Sequence, residues 1–343
     1  MKLEVAPRQN DVQYSSRLEV GDYVPYFYIR HGERKLDMQV MASYHNLLIF
    51  INANLSPAEI EPTLMVSRGY YTYVISDGPV AVDNERLFHD PNVYRLFMPP
   101  EAKFGVFLCD RNLKLINASV GDNFAALIAQ IPPQSTLAVR NIPAPLLIIP
   151  DVISDDLARR LIAYLDKNQD KAEINSGSYK SRAHIHPPRD LELELDNKLC
   201  KSMLPEIKKV FYSEISHRET YKVCCYDAQV GGTFGRHRDT IFPHLHRRYA
   251  MTLVLNDDFE GGGVTFPEYN DSIVQVPKCS AIIFPGALYH QVKEIGKGKR
   301  YVVVSFLFAE EEARLKSDLE RFRFLVRRDI CDMQINRIMP ESE

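Results

Sequence analysis

Residues that could bind a metal occur at a defined spacing in the last third of the chain. His237 and Asp239 form a His-x-Asp pair directly after a strand-like run, and His290 follows 53 residues later. Two imidazoles and one carboxylate can occupy one face of an iron(II) ion, which leaves the opposite positions free for a chelating cosubstrate and dioxygen. A His-x-Asp pair alone is more often a pair of surface polar residues. The surrounding elements therefore decide whether these residues form a metal site.

Short strands separated by glycine-rich turns surround these residues from position 221 onward. The segments that predict strands are YKVCCYDA, YAMTLVLN, GVTFPE, SIVQVP, SAIIFPG, YHQVKEI and RYVVVSFLF. Closely spaced short strands of this kind, preceded by helices, are typical of a jelly roll. The candidate metal ligands would then lie on strands of one barrel.

The last two of these strands carry His290 and Arg300 on either side of a Gly-Lys-rich turn, which predicts one hairpin. Alternation along a strand puts His290 and Val292 on one face. The same alternation groups Arg300, Val302, Val304 and Phe306 on one face of the next strand. Both faces are expected to point into the barrel. Arg300 would then be buried, and a buried guanidinium requires an anion.

Three helices are predicted around these strands. Ser154 is placed to cap a helix whose acidic first turn is favourable against the helix dipole. A second helix is predicted from Asp196 to Phe211, with a kink or a late start at Pro205. A closing helix is predicted from Glu310 to Arg327. The apolar stripes expected to be buried are Leu157, Leu161, Ile162 and Leu165 in the first, Leu199, Met203, Ile207 and Val210 in the second, and Leu315, Leu319, Phe322 and Val326 in the third.

The first part of the chain predicts a separate α/β domain. The continuously apolar run from Leu47 to Ile51 is expected of a central strand that is covered on both faces. Residues 131–145 contain four prolines without helical periodicity, which predicts an interdomain linker. We therefore expect one domain at 1–130 and a second at 146–343. The strand-like segments of the first domain cover 26–31, 46–52, 71–77, 103–110 and 113–119.

The composition is that of an ordinary globular protein. Of 343 residues, 45% are apolar and 25% are charged, and the formal net charge of −3 argues against a nucleic-acid-binding protein. The N-terminus has no apolar signal region and no segment approaches the length of a membrane span, so we expect a cytoplasmic protein without a membrane partner. The six cysteines include no Cys-x-x-Cys motif and are expected to be reduced, and Cys224 and Cys225 would point to opposite faces of a strand.

Residues 145–308 resemble the prolyl 4-hydroxylase-like branch of the iron(II)- and 2-oxoglutarate-dependent dioxygenases. The matching features, in order, are PLLIIPDVISDDLARRLI, the His-x-Asp pair, GGGVTFPE and the closing H-x9-R. The resemblance implies a mainly-β double-stranded β-helix, or jelly roll, with flanking helices. It implies His237, Asp239 and His290 as the iron ligands. Arg300 would hold the distal carboxylate of 2-oxoglutarate through a bidentate pair.

The same resemblance implies further site residues and a reaction. Tyr226 matches a tyrosine that hydrogen-bonds the cosubstrate, Thr252 would line the cosubstrate site, and Phe234 stands where a tyrosine is common. The implied cofactor is iron(II), with 2-oxoglutarate and dioxygen as cosubstrates, and ascorbate would suit such a centre as a reductant. The implied reaction is hydroxylation of a C–H bond with release of succinate and carbon dioxide. Related halogenases replace the carboxylate ligand by a small residue, so Asp239 favours hydroxylation or desaturation.

The N-terminal part resembles peroxiredoxin and redoxin domains, which implies an α/β thioredoxin-like fold. The segment GDYVPYF from Gly21 to Phe27 resembles their opening motif, and FGVFLCDRNLKLINAS resembles their late hairpin. In that family the peroxidatic cysteine lies in a loop that enters a helix, where its pKa is lowered. No cysteine occurs between Ile51 and Phe107, and Cys109 lies in an apolar run typical of a core. The domain is therefore expected to be redox-inactive.

The substrate stays open at this stage. The resemblance favours a prolyl or other residue within a protein or peptide, with the N-terminal domain as a docking surface. A free amino acid or another small, acidic metabolite competes with it. A further alternative is a non-catalytic protein that binds partners through the redoxin-like domain. The sequence does not indicate the oligomeric state.

Histidine- and arginine-rich loops lie near the His-x-Asp pair. They could attract an acidic substrate, and they could equally be solvated surface charges. The pairs His184 with His186 and His244 with His246 lack an acid or cysteine at ligand spacing, which argues against a second metal. The remaining basic residues are Arg236, Arg238, Arg247 and Arg248 beside the pair, and Arg182 and Arg189 in the loop that covers the active-site mouth in the resembling family.

Overall fold

The computed structural model of the protein describes residues 17–317, apart from positions 26, 43, 138–140 and 242. The chain divides into two compact units. The first runs to Ile142 and includes Pro267–Asn270, and the second contains Pro143–Phe266 and the chain from Asp271 onward. The first residues of the proline-rich segment pack on the N-terminal unit, where Ile131 is buried in an apolar cluster and the Tyr70 hydroxyl donates to the Pro132 carbonyl at 2.7 Å.

The N-terminal unit combines short strands and helices. In chain order they are β1 (Tyr28–His31), β2 (Arg34–Asp37), α1 (Met38–Met41), β3 (Asn46–Ile51), α2 (Pro57–Leu64), β4 (Tyr71–Ser76), β5 (Leu87–His89), α3 (Pro91–Phe97), β6 (Phe104–Cys109), β7 (Leu115–Gly121) and α4 (Phe124–Ala129), followed by a 3-10 turn at Gln134–Thr136. The strand segments predicted for this part are confirmed, with ends that differ by at most two residues.

Five of these strands form one sheet in the order β5-β4-β3-β6-β7. The pairs β3 with β4 and β4 with β5 are parallel, whereas β6 is antiparallel to both of its neighbours. Every residue of β3 is buried, as its apolar sequence predicted. Alternate residues of β3 enter two separate apolar clusters, with Leu48 and Phe50 in one and Leu47 and Ile49 in the other. Cys109 belongs to the first cluster and is core, as expected.

The second unit contains more strands and longer helices. They are β8 (Leu147–Ile149), α5 (Asp155–Lys167), β9 (Glu173–Ser176), β10 (Lys180–Ile185), α6 (Arg189–Lys198), a π-helical turn (Leu199–Met203), α7 (Leu204–Phe211), β11 (His217–Arg218), β12 (Lys222–Asp227), β13 (Thr233–His237), β14 (Tyr249–Val254), β15 (Glu260–Gly261), β16 (Val264–Thr265), β17 (Ile273–Val274), β18 (Ala281–Pro285), β19 (His290–Val292), β20 (Ile295–Lys297) and β21 (Lys299–Phe308). Short 3-10 turns lie at Gln169–Lys171 and Ala228–Val230, and residues 310–317 are helical.

The strands of this unit curl into the predicted jelly roll. One half has the order β12-β21-β14-β18, with β8 beyond β18, and the other half has the order β13-β19-β16-β17. Strand β10 pairs with both β12 and β13, so it joins the two halves along one side. These pairings are antiparallel. Two such interleaved halves are the arrangement of a double-stranded β-helix.

The prediction of one hairpin that carries both His290 and Arg300 is wrong. Strand β19 pairs with β13 and β16, whereas β21 pairs with β12 and β14. The turn between them therefore crosses from one half of the roll to the other. Sequence alternation cannot distinguish this crossing from a hairpin, because both put the same residues on the inner face.

In α5 and α7 the apolar residues predicted to be buried are largely buried, except near the end of α7. The Ser154 hydroxyl accepts a hydrogen bond from the Leu157 backbone N–H at 3.3 Å, which caps α5. The predicted second helix is interrupted by the π-helical turn, and Pro205 lies in the first turn of α7, where its missing N–H is tolerated. Val210 was expected to be buried but is 49% exposed, because it lies in the last turn of α7.

The burial of the closing helix and the state of the cysteines were also predicted from the sequence. Leu315 is 38% exposed, so its expected burial is not observed, and Leu319, Phe322 and Val326 lie outside the described residues. Cys224 and Cys225 enter different apolar clusters, as alternation predicted. The described cysteines are free thiols, and Cys331 lies outside this part. No helix within residues 17–317 is long and apolar enough to cross a bilayer.

Candidate iron and cosubstrate site

The fold brings the three predicted metal ligands together. His237 ends β13 and His290 begins β19, and the two residues are direct cross-strand partners. Asp239 lies two residues after His237, and its carboxylate lies beside both imidazoles. Its two oxygens lie 3.6 Å from His237 Nε2 and 3.4 Å from His290 Nε2. The three side chains could therefore share one metal ion.

Backbone carbonyls fix both imidazoles in the tautomer that a metal requires. Nδ1 of His237 lies 2.7 Å from the Gly235 carbonyl, and Nδ1 of His290 lies 3.0 Å from the Leu288 carbonyl. A carbonyl oxygen can only accept a hydrogen bond, so Nδ1 carries the proton in each ring. Each Nε2 then presents a lone pair to the position between the three side chains. Outer hydrogen bonds of this kind are the usual support of histidine ligands.

Burial favours the protonation state of a metal-binding imidazole. Desolvation and the neighbouring His290 lower the pKa of His237 to about 2, so this ring is neutral at physiological pH. Burial also raises the pKa of Asp239, because a carboxylate shielded from water is disfavoured. A divalent cation beside Asp239 would stabilise its charged form. Two imidazoles and one carboxylate thus fit iron(II), and among the residues that the structure describes this group contains no fourth side chain.

The three side chains open onto a cavity of about 470 Å³ inside the roll. Tyr226 and Thr252, the residues that the resemblance associated with the cosubstrate, lie in its lining. Apolar side chains form much of the remaining wall, and they include Val292, Val304 and Phe306, which alternation predicted to point inward. The cavity therefore combines polar and charged side chains with apolar ones.

Arg300 lies next to this cavity without an anionic partner. It is the direct cross-strand partner of Tyr226, and its guanidinium carbon is 5.7 Å from the centre of that ring. Only 3% of the residue is exposed, and burial lowers the pKa of its guanidinium. Among the residues that the structure describes, no carboxylate or carbonyl accepts a hydrogen bond from it. Arg300 lines a second cavity of about 280 Å³, and Val264 is common to both cavities.

The glycine-rich turn before β16 makes room for this arginine. Gly262 has a φ of +69°, which other residues rarely adopt. A Cβ at this position would lie 3.2 Å from Cδ of Arg300 and 2.6 Å from Cδ1 of Ile295. The GGGVTFPE motif therefore has a packing function that its sequence alone did not reveal.

Two features of the site were not expected from the sequence. Phe234 stacks on the His237 ring with centroids 3.7 Å apart, so it shields a ligand rather than supplying a hydrogen bond. Arg182 was expected in a loop over the mouth, but it belongs to β10 and lines the cavity with Lys180 and Lys222. Alternation of Lys180 and Arg182 in a short strand was the signal that could have placed both on the inner face.

The basic cluster predicted beside the His-x-Asp pair is largely neutralised. Arg247 forms a two-pronged ion pair with Glu219, and His246 Nε2 lies 2.7 Å from the same carboxylate. Arg248 pairs with Glu312 near the start of the closing helix. The second expected basic loop is also structured, since Arg189 begins α6 and pairs with a glutamate one turn later.

Each histidine pair has an acid nearby in space, which the spacing along the chain did not indicate. Glu219, which is distant in sequence, joins His244 and His246 in a group that could hold a metal. However, Arg247 contacts both oxygens of that carboxylate, so a cation would have to displace an arginine. The other pair is held without a shared partner, because His184 contacts Glu173 while His186 contacts the Tyr221 carbonyl.

Comparison with known proteins supports the reaction class. No family model matches the chain. A PKHD-type hydroxylase from Polaromonas sp. is 26% identical over 225 residues, which cover 58% of this chain and 91% of that protein. Procollagen-lysine,2-oxoglutarate 5-dioxygenase 1 of Mus musculus is 36% identical over 74 residues, which cover 20% of this chain and only 10% of that protein.

Solved structures with similar folds are more distant. A Pseudomonas putida prolyl-4-hydroxylase aligns over 49% of this chain and 94% of its own, with 16% identity and a TM-score of 0.41. A prolyl hydroxylase from Trichoplax adhaerens, in complex with a peptide fragment of hypoxia inducible factor, aligns over 50% of this chain and 86% of its own, with 15% identity and a TM-score of 0.42.

The curated relatives and the ligand group together confirm the reaction class predicted from the sequence. The chain is a 2-oxoglutarate-dependent dioxygenase, and iron(II) and 2-oxoglutarate are its cofactor and cosubstrate. The reaction class is hydroxylation, since the relatives that span most of their own length here carry that name.

Proposed function

We propose that His237, Asp239 and His290 hold the iron and that Arg300 holds the distal carboxylate of 2-oxoglutarate. The observation that carries this assignment is the convergence of two Nε2 lone pairs and one carboxylate at a cavity beside a buried guanidinium without an anion. Tyr226 is the direct neighbour of Arg300 across the strand pair, and we assign its hydroxyl to the same cosubstrate.

When bound, iron(II) and 2-oxoglutarate supply the oxidative decarboxylation that drives hydroxylation of a C–H bond. The residues of the chain orient and shield the reactants. Arg300 can fix the cosubstrate through two parallel N–H···O bonds, which set its direction as well as its affinity. Val292, Val304 and Phe306 exclude water from the cavity and so strengthen each electrostatic contact within it. Asp239 supplies the charge that keeps the metal in place.

The proposed substrate is a prolyl residue within a protein or peptide. It is supported by the resemblance of residues 145–308 to the prolyl 4-hydroxylase-like branch, while the PKHD-type hydroxylase, which aligns over 91% of its own length, supports hydroxylation. A lysyl residue is the second candidate, because the segment shared with the procollagen-lysine dioxygenase reaches the higher identity, although it spans only a tenth of that protein. A free amino acid or small acid is the remaining alternative from the sequence.

For the N-terminal unit we propose a thioredoxin-like fold without redox chemistry and a role in docking a protein substrate. The mixed sheet and the complete burial of Cys109 support this interpretation, because a buried thiol whose pKa is raised is a poor nucleophile. The domain limits 1–130 and 146–343, with the linker at 131–145, also stay predictions. So do the cytoplasmic location and the use of ascorbate.

An anaerobic titration tests the site assignment. Iron(II) and then 2-oxoglutarate are added to the apoprotein, and the visible charge-transfer band of the iron chelate is recorded for wild type, Asp239→Ala and Arg300→Ala. We expect the band in wild type and its loss in both variants. A folded wild-type protein without the band would contradict the assignment and favour a non-catalytic partner-binding role.

The substrate is tested by mass spectrometry. Prolyl and lysyl peptides and the free amino acids are incubated with the loaded enzyme, and a gain of one oxygen is sought in each. Deletion of residues 1–130 should reduce turnover of a protein substrate but not of a small molecule if the first unit docks proteins. Equal loss with both would contradict the docking role.

A further inference from the structure

An unpaired set of positive charges lines one wall of the iron cavity. Lys180 and Arg182 are alternate residues of β10, and Lys222 lies on the adjacent strand β12. All three reach the cavity that contains the metal ligands. Among the residues that the structure describes, none of the three forms an ion pair with a carboxylate. We call these three side chains the cationic wall.

The neighbouring acids compensate the wall only without ion pairs, and Asp239 in the same cavity is the one that acts on Arg182. Glu173 is the acid on the adjacent strand β9, but its side chain is 74% exposed and contacts His184 at 3.1 Å instead. Burial and the nearby charges of Arg182 and Lys222 lower the pKa of Lys180. The same two cations, together with burial, lower the pKa of His184 to about 4. This part of the cavity therefore has a positive potential.

Arg182 carries a buried N–H that no described residue satisfies. Its Nη1 donates to the Tyr226 hydroxyl at 3.1 Å, and its guanidinium lies 5.3 Å from the centre of the Phe234 ring. Its Nε is shielded from solvent and has no acceptor. A shielded N–H without an acceptor is unfavourable, and a carboxylate is the natural group to satisfy it.

Three other basic residues near the site have carboxylate partners. Arg247 and His246 are paired with Glu219, and Arg248 is paired with Glu312. Arg247 also lines the cavity, but its charge is compensated by Glu219, whereas the three cations of the wall have no carboxylate in an ion pair among the described residues. Uncompensated positive charge in a cavity with apolar walls raises the local concentration of negatively charged ligands.

We propose that the cationic wall binds a carboxylate of the substrate, so that the C–H bond to be hydroxylated lies next to an acidic group. In a peptide this group is an aspartate or glutamate beside the target residue, and in a small molecule it is the acid itself. The inference rests on the proposed hydroxylase function, and it names the substrate class that this function acts on.

Binding of matched probes tests the proposal. Fluorescein-labelled prolyl pentapeptides with glutamate, glutamine or lysine on both sides of the proline are titrated anaerobically into protein loaded with iron(II) and 2-oxoglutarate. Their fluorescence anisotropy is measured. We expect the glutamate peptide to bind at least about tenfold more tightly than the glutamine peptide and the lysine peptide to bind least. The preference should decrease as ionic strength rises.

Variants connect the preference to the wall. Lys180→Gln with Lys222→Gln should remove most of the preference, and Lys180→Glu with Lys222→Glu should reverse it in favour of the lysine peptide. The matched control is Lys198→Gln with Lys201→Gln, which removes two exposed lysines around the π-helical turn and should change nothing. Circular dichroism and the iron chelate band establish that each variant is folded and loaded.

Three results would overturn the proposal. The first is binding of the peptides without any charge preference, or the absence of binding by the peptides and by free glutamate alike. The second is a preference that survives in the double glutamine variant. The third is loss of 2-oxoglutarate binding in Arg182→Gln, since the wall would then serve the cosubstrate.

The test separates this proposal from the hydroxylase assignment. If wild type gives the iron chelate band but shows no charge preference, the wall proposal alone fails. If the band is absent, the proposed function fails first. Direct calorimetric titrations with free glutamate and free proline distinguish the two sources of the carboxylate. Binding of free glutamate, but not of free proline or of any peptide, would support the wall and contradict a peptide substrate.

Discussion

Replacing Arg300 by methionine should stabilise the apoprotein and at the same time weaken its binding of 2-oxoglutarate. Methionine has a similar length and lacks the charge, so it can fill the same space beside Tyr226. In the apoprotein only 3% of Arg300 is exposed, and its guanidinium has no hydrogen-bond acceptor among the described residues. Removing such an uncompensated charge is expected to raise the free energy of unfolding by about 1–4 kcal/mol.

The effect on the cosubstrate has the opposite sign. The proposed pair with the distal carboxylate contains two charge-assisted hydrogen bonds, each contributing about 1.5–3 kcal/mol. Losing both bonds costs about 3–6 kcal/mol of binding free energy. This corresponds to a dissociation constant that is larger by a factor of roughly 10² to 10⁴. A residue that is merely structural would not raise stability and lower ligand affinity together.

The assay is thermal unfolding of the apoprotein, repeated anaerobically with iron(II) and 2-oxoglutarate, together with calorimetric titration of the cosubstrate. Arg300→Met should unfold at a higher temperature than wild type without ligand, and it should lose the additional stabilisation by 2-oxoglutarate. The matched control is Lys299→Met on the same strand, where a partly exposed lysine lies 3.5 Å from Asp227. It should leave both measurements nearly unchanged. An Arg300→Met protein that is less stable and still binds 2-oxoglutarate normally would refute the reasoning.

Three further predictions concern the framework of the site. Gly262→Ala should lower the free energy of unfolding in urea by about 1–3 kcal/mol more than Gly21→Ala, because both have positive φ but only the former meets neighbouring side chains; equal losses would contradict a packing role. His184 has a folded-state pKa of about 4, below the usual value of 6.5, so its contribution to stability is present above pH 6.5 and is lost as pH falls towards 4. Between pH 6.5 and 5 His184 should account for about 2 kcal/mol of the loss, so His184→Gln should lose about that much less than wild type in urea unfolding of the apoprotein; an unchanged pH dependence in the variant would contradict this assignment. Leu161→Ala in the buried stripe of α5 should cost about 2–5 kcal/mol in the same assay, whereas Val210→Ala should cost much less; similar losses would show that the exposure of Val210 is misjudged.

The elements that sequence patterns predicted well are those with a strong local signal. The apolar run of β3, the cap at Ser154 and the alternating inner residues of β21 all follow from side chains within a few positions of one another. The two histidines and the aspartate were also recognisable, because a strand end fixes where such side chains point. The crossing of the chain between β19 and β21 could not be predicted from the sequence, because contacts between residues distant in sequence determine which strands pair.

Charge pairing explains why the sequence did not show which basic residues near the site lack a carboxylate partner. The sequence shows a dense group of arginines and histidines beside the metal ligands, but it does not show which of them meet a carboxylate. Glu219 comes from a strand-like segment almost thirty residues before Arg247, and the fold brings the two side chains into a two-pronged pair. Lys180 and Arg182 have Glu173 nearby in sequence, but that side chain contacts His184, and the two cations line the cavity. An acid-binding surface is therefore defined by the cations that the fold leaves uncompensated, not by the segment in which basic residues are most frequent.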